Sequence, residues 1–431
     1  MGGRGRRGPQ PEHAPLGDAG RTGYKRTEAR HGPEPGNGKG EHALGERYDV
    51  VVLGGGVVGA SIAYHLKKLG AGKVALFERG ELCSGGTARS CAIIRTHYSI
   101  HTNTELAVKS LEVFRRFPDA LQDREAECGF VNSGYLILAP EGEIAERLRR
   151  NLAMQATHGA ATTVVAKEEA RERHPLLDLE DVAAIGYEPE SGYADPYLTT
   201  MSYIRAAQRL GVEVKAHCPA TSLALRGARV VGVTTLHGWI GAGLVVAALG
   251  PWSGAIARWA ELELPLKVSR HIVLTLRAAA PYERTLPIVK DLVTANKMYF
   301  RPSTGGVVLV GTGDHGDPLD DPESMDDTVG LDFVAHQGGQ IACRMPSFAD
   351  AELAATWTGP YDITPDWNPI LGPVPGVEGL HVAYGFSGHG FKLAPMVGKV
   401  VAQAALGLTP EVDVTPYRLT RFAEGKLLTG A

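Results

Sequence analysis

The sequence predicts an α/β fold in which a Rossmann-type dinucleotide-binding domain is combined with a second, α+β domain built on an antiparallel sheet. A short β-branched run at 48–53 leads through a glycine-rich turn into an apolar helical segment and a second strand. Parallel βα units recur at both ends of the chain, and strand-rich segments lie between them. At 431 residues, the chain is also long enough for two hydrophobic cores.

The first βαβ unit can be located residue by residue. The run at 48–53, YDVVVL, is short, β-branched and bounded by glycines, which is typical of a buried strand. The segment 60–70, ASIAYHLKKLG, has apolar residues at helical spacing and ends on Gly70, a helix stop signal. The segment 73–78, KVALFE, predicts a second strand that ends at Glu78.

The rest of the chain alternates between helical and strand patterns. We predict helices over about 103–117 and 199–211, solvated helices within 141–173, strands over 133–139 and 212–220, and a β-hairpin over 222–249. The segment 264–310 is strand-rich, which favours an antiparallel sheet that covers a cavity.

These patterns predict a nucleotide-binding domain assembled from separated segments, with a substrate domain threaded through it. The N-terminal stretch is rich in Gly, Pro and Arg and has too few apolar residues to form a core. The expected divisions are a disordered tail over 1–46, a nucleotide-binding domain over 47–130, 191–258 and 365–415, and a substrate domain over 131–190 and 259–364.

Composition excludes several functional classes. The net charge of −4 gives no electrostatic basis for binding nucleic acid. The five cysteines are an odd number without a CxxC pair, which argues against a disulfide framework or a metal site and favours the reducing cytoplasm. No apolar run is long enough to span a bilayer, and the N-terminus lacks the apolar core of a signal peptide.

The pattern Gly54-x-Gly56-x-x-Gly59 lies between the first predicted strand and helix. The first glycine permits the tight turn, the second admits a pyrophosphate, and the third lets the helix pack on the strand. The helix N-terminus faces the phosphates with its partial positive charge. Glu78 is placed to accept a hydrogen bond from a ribose 2′-hydroxyl, which disfavours NADP. The fingerprint therefore predicts dinucleotide binding without choosing between FAD and NAD.

Three further segments, 78–99, 357–373 and 385–399, resemble the D-amino-acid-oxidase-like flavoprotein family, and most closely its sarcosine oxidase and dimethylglycine oxidase branch. The segments 192–197 and 248–253 also match the family pattern. The resemblance extends over about 48–406, and GFSGHGFK at 385–392 is its most specific part. It implies FAD rather than NAD, with the isoalloxazine ring between the two domains.

A glycine-rich loop leads into a C-terminal helix that we expect over about 387–400. This arrangement suits the reduced flavin, because backbone N–H groups and the helix dipole can stabilise the negative charge at the N1–C2=O edge of the flavin. The residues expected to contact the cofactor are Gly54, Gly56, Val57, Val58, Gly59, Glu78, Arg79, Ser84, Gly85, Gly86, Thr87, Gly250, Trp252, Gly388, His389, Gly390, Phe391 and Lys392.

The resemblance also implies a substrate site. Arg95 and Lys392 match the two cations that hold the substrate carboxylate in sarcosine-oxidising members, and two charge-assisted bonds would place the α-carbon beside the flavin. Tyr299 and Tyr361 match aromatic positions of the pocket, although either could equally be a core residue. Three histidines are weaker acid–base candidates: His271, His315 and His389.

Two positions depart from the nearest relatives in the family. Gly359 occupies the position of the cysteine that carries covalent flavin in monomeric sarcosine oxidases, so we predict that FAD is bound without a covalent bond. Cys343 and Cys91 are weak candidates to replace that cysteine. The position of the oxygen-activating lysine appears as Leu309, so the reaction with oxygen loses the help of a nearby fixed cation. Oxidase and dehydrogenase activity both stay open.

The leading hypothesis is FAD-dependent oxidation of the C–N bond of a secondary or primary amino acid to an imine, with hydride transfer to flavin N5. The electron acceptor is expected to be oxygen, a quinone or a partner protein, and the sequence leaves the oligomeric state open. The alternatives are 2-hydroxy-acid oxidation, a flavoprotein subunit of a hetero-oligomeric dehydrogenase, an NAD-dependent dehydrogenase, and a cofactor-binding protein without turnover.

Overall fold

A computed structural model describes residues 46–280, 282, 284–313 and 316–430. Except for Glu46, the predicted disordered tail over 1–46 lies outside these residues, and so does His315. Within the described part of the chain, no helix is both long and apolar enough to cross a membrane. All five cysteines are free; only Cys343 is exposed.

The strands are β1 (Arg47–Leu53), β2 (Val74–Phe77), β3 (Ile93–Ile94), β4 (Tyr135–Ala139), β5 (Thr163–Val165), β6 (Ala184–Glu188), β7 (Gly192–Tyr193), β8 (Glu213–Lys215), β9 (Ala220–Arg226), β10 (Arg229–Thr235), β11 (Gly238–Ala247), β12 (Lys267–Arg277), β13 (Ile288–Asp291), β14 (Tyr299–Pro302), β15 (Val307–Gly311), β16 (Pro318–Leu319), β17 (Glu352–Ile363), β18 (Ile370–Pro373) and β19 (Leu380–Tyr384). The α-helices are α1 (Val57–Lys68), α2 (His101–Arg115), α3 (Phe117–Leu121), α4 (Glu143–Thr157), α5 (Lys167–Arg173), α6 (Pro196–Arg209), α7 (Gly254–Ala260), α8 (Leu331–Arg344) and α9 (Gly390–Ala405).

The first sheet has the order β18-β19-β11-β1-β2-β8, with β10 and β9 added beyond β11. The strands β19, β11, β1, β2 and β8 run parallel. The unit β1-α1-β2 confirms the predicted βαβ unit, and α1 packs on α6 and α9. Parallel strands bring their carboxyl ends to one edge, so the turn after β1 opens where a nucleotide binds in such sheets.

The second sheet has the order β16-β12-β15-β14-β13-β4-β6-β5, with β17 paired along β12. Its pairings are antiparallel except that of β13 with β4. The strands of the two sheets come from different segments of the chain, and we propose the predicted domain boundaries as the limits of the two domains.

The stretch 141–173 was expected to contain only solvated helices, and this expectation is wrong in part. The helices α4 and α5 are present, but β5 lies between them and extends the second sheet. The helix α4 also buries Ala145, Leu148 and Leu152 against Tyr135 and Ile137 of β4. One apolar stripe on an otherwise charged helix is enough to fix it on the sheet.

The helices α1 and α9 approach closely because Gly398 has no side chain. A Cβ atom at Gly398 would lie 2.0 Å from Ser61 Oγ on α1. This contact places the N-terminus of α9 beside the first sheet, where the glycine-rich loop 385–390 leads into it. The packing of two helices therefore positions the most specific motif of the sequence.

A buried ion pair fastens the C-terminal segment to the loop before β18. Arg421 donates from Nε and Nη2 to the carboxylate of Asp366, both at 2.8 Å, and their side chains are 0% and 1% exposed. The main-chain N–H of Leu428 also donates to Asp366, at 3.0 Å. Because water reaches neither side chain, each charge is stabilised by the other and not by solvent.

Replacing Arg421 by Met is expected to lower the free energy of unfolding by about 3–5 kcal/mol, because it leaves the Asp366 carboxylate buried without its partner. Urea denaturation followed by circular dichroism measures this change. The control is Arg418→Met, which removes a partly exposed arginine of the same segment that pairs with Glu424. Equal losses of stability in the two variants would contradict the assigned importance of burial.

Candidate cofactor and substrate site

The turn after β1 is shaped by glycines that leave no room for side chains. Gly54 has a φ of +108°, and a Cβ atom there would lie 2.4 Å from the carbonyl oxygen of Ala248. A Cβ atom at Gly59 would lie 1.9 Å from the carbonyl oxygen of Gly54. The first and third glycines of the fingerprint thus hold the turn, α1 and the end of β11 in direct contact.

The N-terminus of α1 is open to an anion. Its N-cap is Gly56, which has no capping side chain, and no acidic residue lies in the first turn. The N–H of Val57 donates to Thr87 Oγ1 at 3.2 Å. A helix N-terminus without a capping side chain and without an acidic residue in its first turn suits a pyrophosphate. Val58, the next residue of the helix, is partly buried against the core.

Glu78 closes the other side of the turn. Its carboxylate accepts from the N–H of Gly55 at 2.7 Å and from the N–H of Gly80 at 2.9 Å. The carboxylate is therefore fixed just beyond the end of β2, where the fingerprint expects an acceptor for a ribose hydroxyl. A glycine cradle, an uncapped helix and a fixed carboxylate together fit the adenosine and pyrophosphate of FAD.

Two of the other predicted cofactor residues, Arg79 and Gly85, contact the indole ring of Trp252. Trp252 packs on Gly85, where a Cβ atom would be 3.2 Å from the indole, and the guanidinium of Arg79 lies 4.2 Å from the centre of the same ring. The indole Nε1 donates to Glu323 at 2.5 Å. The remaining members are Ser84, whose hydroxyl donates to the Glu81 carbonyl, Gly86, which faces the Pro360 carbonyl, and Gly250, which has a φ of +51°.

The glycine-rich loop before α9 is held by Asp362 of β17. Its carboxylate accepts from the N–H of Gly385 at 2.7 Å, and its carbonyl accepts from the N–H of Ser387 at 2.9 Å. Burial raises the pKa of Asp362 to about 6. The helix was expected from about Ser387, but it begins at Gly390, because Ser387 and Gly388 have left-handed φ values of +50° and +84°. Sequence spacing missed this turn.

A cavity of about 210 Å³ lies between this loop and the second sheet. It brings together all four predicted catalytic residues and three residues of the predicted flavin loop. The lining includes Arg95, Lys392, Tyr299, Tyr361, Gly388, His389 and Phe391. Among the described residues that line it, none is Asp or Glu.

The two predicted carboxylate-binding cations face this cavity. Lys392 is 6% exposed, and its Nζ donates to the carbonyl of Gly388 at 3.4 Å. Burial, followed by repulsion from Arg95, lowers the pKa of Lys392 well below its usual range. The guanidinium of Arg95 lies 4.7 Å from the centre of the Tyr98 ring and donates to the carbonyl of His97. An anion in the cavity would relieve the repulsion between the two cations.

The rings of the two predicted tyrosines both lie next to His271. The His271 and Tyr361 rings are 4.5 Å apart, and the His271 and Tyr299 rings are 6.0 Å apart, both nearly parallel. The Tyr299 hydroxyl lies 2.9 Å from His271 Nε2 and 3.5 Å from Cys91 Sγ. Burial raises the pKa of Tyr299 well above its usual range, so its hydroxyl keeps its proton. Both tyrosines are thus part of the cavity wall.

Tyr299 depends on a glycine directly across the sheet. Gly311 of β15 pairs with Tyr299, and a Cβ atom there would lie 2.2 Å from Cζ of the ring. Gly311→Ala is therefore expected to displace the ring and lower kcat/KM roughly 10- to 100-fold, since small misplacements in a site have effects of this size. Steady-state kinetics measure this change.

The matched control is Gly339→Ala, because a Cβ atom at Gly339 of α8 meets no atom within 4 Å. Wild-type kinetics in Gly311→Ala would contradict the assigned position of the Tyr299 ring.

Sequence reasoning missed Lys290 of β13, which also lines the cavity. Leu309, by contrast, is buried in an apolar cluster with Cys91 and Val273 and supplies no charge. Cys91 lies in the cavity wall, and burial raises the pKa of its thiol. Gly359 pairs with His271 and carries no side chain.

The chain is similar to one family of flavoproteins over most of its length. The model of the family described as DAO: FAD dependent oxidoreductase matches residues 49–404. FAD-dependent oxidoreductase domain-containing protein 1 of Bos taurus is 31% identical and is matched over 89% of this chain and 87% of its own. Sarcosine oxidase subunit beta of Arthrobacter sp is 28% identical and is matched over 88% of this chain and 92% of its own. Human mitochondrial sarcosine dehydrogenase is 28% identical over 87% of this chain, which spans 41% of that longer protein.

Solved structures extend the similarity to the whole fold. L-proline dehydrogenase from P. horikoshii superposes with a TM-score of 0.81 at 28% identity, covering 89% of this chain and 100% of that one. Glycine oxidase from Geobacillus kaustophilus superposes with a TM-score of 0.75 at 27% identity, covering 87% of this chain and 99% of that one. These similarities confirm the predicted fold class, the predicted resemblance and FAD as the cofactor.

Proposed function

The chain belongs to the DAO family of FAD-dependent oxidoreductases, and we propose that it oxidises the C–N bond of a secondary or primary amino acid to an imine. The observation that carries this proposal is the pair Arg95 and Lys392, which face one cavity beside the glycine-rich loop at 388–392. A carboxylate with an adjacent amine is the substrate chemistry that this pair suits.

The cofactor is proposed to lie along two groups of residues. The turn Gly54–Gly59 with Glu78 would hold the adenosine and pyrophosphate, and the N-terminus of α9 would face the isoalloxazine ring. Bound FAD supplies a hydride acceptor at its N5 atom. The uncapped N–H groups of Gly390, Phe391 and Lys392 are suited to stabilise negative charge on the ring, because no side chain caps this helix.

The cations are proposed to bind and orient the substrate. Arg95 and Lys392 would each donate to the carboxylate, which fixes the α-carbon relative to the loop. The same positive charges disfavour a substrate ammonium, so they promote the neutral amine from which a hydride can leave. Phe391 and other apolar residues of the wall exclude water. No residue of the chain has to act as a nucleophile in this scheme.

The electron acceptor is proposed to be oxygen, a quinone or a partner protein. The similarity to sarcosine oxidase subunit beta favours a hetero-oligomer as one assembly, while Leu309 removes one cation that would assist the reaction with oxygen. An oxygen electrode with excess substrate separates the two cases: rapid oxygen consumption supports an oxidase, and turnover only with an artificial acceptor supports a dehydrogenase.

A cytoplasmic location stays a prediction from cysteine usage.

The competing function is oxidation of a 2-hydroxy acid, which would use the same two cations. Amino acids and hydroxy acids of matched side chains, assayed with an artificial electron acceptor, test this alternative. The proposal expects turnover of the amino acids only. Turnover confined to hydroxy acids would contradict it.

We predict that FAD is held without a covalent bond, since Gly359 offers no thiol. Acid precipitation of the purified protein should leave the yellow flavin in the supernatant. Colour that remains with the pellet would contradict the prediction, and the variant Cys91→Ser would then show whether the cysteine in the cavity wall carries the bond.

A further inference from the structure

Lys290 presents a third basic group to the cavity that holds Arg95 and Lys392. On the second sheet, Lys290 pairs with Ile137 of β4 on one side and with Tyr299 of β14 on the other. All three line the cavity, so Lys290 belongs to the same face of the sheet as the predicted tyrosine. Its Nζ lies 5.6 Å from the centre of the Tyr299 ring and donates to the carbonyl of Lys297. The amino group of Lys290 is thus held on the cavity wall.

Two carboxylates lie close to these cations, and neither lines the cavity. Glu188 is 1% exposed and accepts from the N–H of Thr96 at 2.9 Å and from the hydroxyl of Ser191 at 2.5 Å. Asp291 follows Lys290 in the strand and therefore points to the opposite face. There it is 0% exposed and pairs with Arg344 at 2.8 Å.

One substrate carboxylate can engage Arg95 and Lys392, but it leaves Lys290 without an anionic partner among the described residues of the cavity wall. Burial, followed by repulsion from Arg95, lowers the pKa of Lys290 to about 7. The same two causes lower the pKa of Lys392. The cavity therefore disfavours the protonated form of Lys290 as long as no anion lies beside it, and a second anionic group would stabilise the protonated lysine.

We propose that Lys290 binds a second carboxylate of the substrate, so that the preferred substrate is a dicarboxylic amino acid. One carboxylate would lie between Arg95 and Lys392, and the other, on the nitrogen substituent or on the side chain, would lie against the wall formed by β13. This inference rests on the proposed oxidation of an amino acid in this cavity, which it narrows to one substrate class.

Lys290 could instead serve only to support the Tyr299 ring. In that case its loss would disturb every substrate alike, whereas a carboxylate contact concerns only substrates that have the second carboxylate. The ratio of kcat/KM between a dicarboxylic substrate and a matched monocarboxylic one separates these roles.

The kinetic test compares iminodiacetate with sarcosine, and glutamate with glutamine, in the holoenzyme and in two variants. Lys290→Met removes the basic group from the wall, and Lys267→Met removes an exposed charge of β12, on the same sheet, that does not line the cavity. The wild type should favour at least one diacid about tenfold or more, and Lys290→Met should reduce that ratio roughly 10- to 100-fold. Lys267→Met should preserve it. The preferred pair identifies whether the nitrogen substituent or the side chain carries the second carboxylate.

A binding test gives the same information without turnover. Thiodiacetate and (methylthio)acetate are analogues that differ by one carboxylate, and each can be titrated against the absorbance band of the bound flavin. Tighter binding of thiodiacetate that is lost in Lys290→Met supports the inference, even if no amino acid is oxidised and the proposed function itself fails. Equal binding of the two analogues, or a preference that survives in Lys290→Met, overturns it.

Discussion

Replacing Arg95 by Met should lower kcat/KM for amino-acid substrates roughly 100- to 1,000-fold, mainly through a higher KM. The guanidinium has a fixed place over the Tyr98 ring and faces the cavity with Lys392. Its loss removes one of the two partners of the substrate carboxylate, and losing one partner of a buried charged contact has effects of this size. Steady-state kinetics of the holoenzyme measure the change.

A suitable control is Arg173→Met. That arginine also stacks on a tyrosine ring, with its guanidinium 4.2 Å from the centre of Tyr187, but it does not line the cavity. Its replacement should leave kcat/KM close to that of the wild type. Arg95→Met with wild-type kinetics would remove the assigned role, and equal losses in both variants would point to a general structural effect.

Replacing Gly59 by Ala should weaken FAD binding roughly 10- to 100-fold and produce protein depleted of flavin. The added methyl group would lie 1.9 Å from the carbonyl oxygen of Gly54, so the helix and the turn must separate. Such crowding in a packed region costs about 1–3 kcal/mol, and about 1.4 kcal/mol corresponds to a tenfold change in affinity. The ratio of flavin to protein absorbance measures the loss.

The control is Gly243→Ala, since a Cβ atom at this exposed position of β11 meets no atom within 4 Å. It should bind FAD like the wild type. Full flavin content in Gly59→Ala, with unchanged affinity on titration, would contradict the assigned role of the third glycine.

The parts of the site that lie in continuous motifs could be predicted from the sequence. The turn at Gly54–Gly59 and the glycine-rich loop 385–390 each lie directly before a helix, so a short stretch of sequence identifies both. Only the start of α9 was misplaced, because Ser387 and Gly388 form a turn before it. Arg95 and Lys392 were found through such motifs, and the structure places both on one cavity.

The residues that sequence reasoning missed depend on strand pairing. Lys290 reaches the cavity because β13 pairs with β14 next to Tyr299, and Asp362 reaches the loop from the long strand β17. No local pattern encodes these neighbours. The available signal was a charged pair, Lys290 and Asp291, at the end of a short apolar strand, where burial of both faces requires a partner for each charge.

Anaerobic absorbance of the bound flavin tests the central claim most directly. An N-methyl or D- or L-amino acid from a panel, including dicarboxylic members, should bleach the flavin band, because reduction needs no electron acceptor. The corresponding hydroxy acid and the amino-acid methyl ester, which lacks the α-carboxylate, should leave the band unchanged or bleach it far more slowly. Bleaching by the hydroxy acid or the ester at the rate of the amino acid, or by no member of the panel, would contradict amino-acid oxidation at this site.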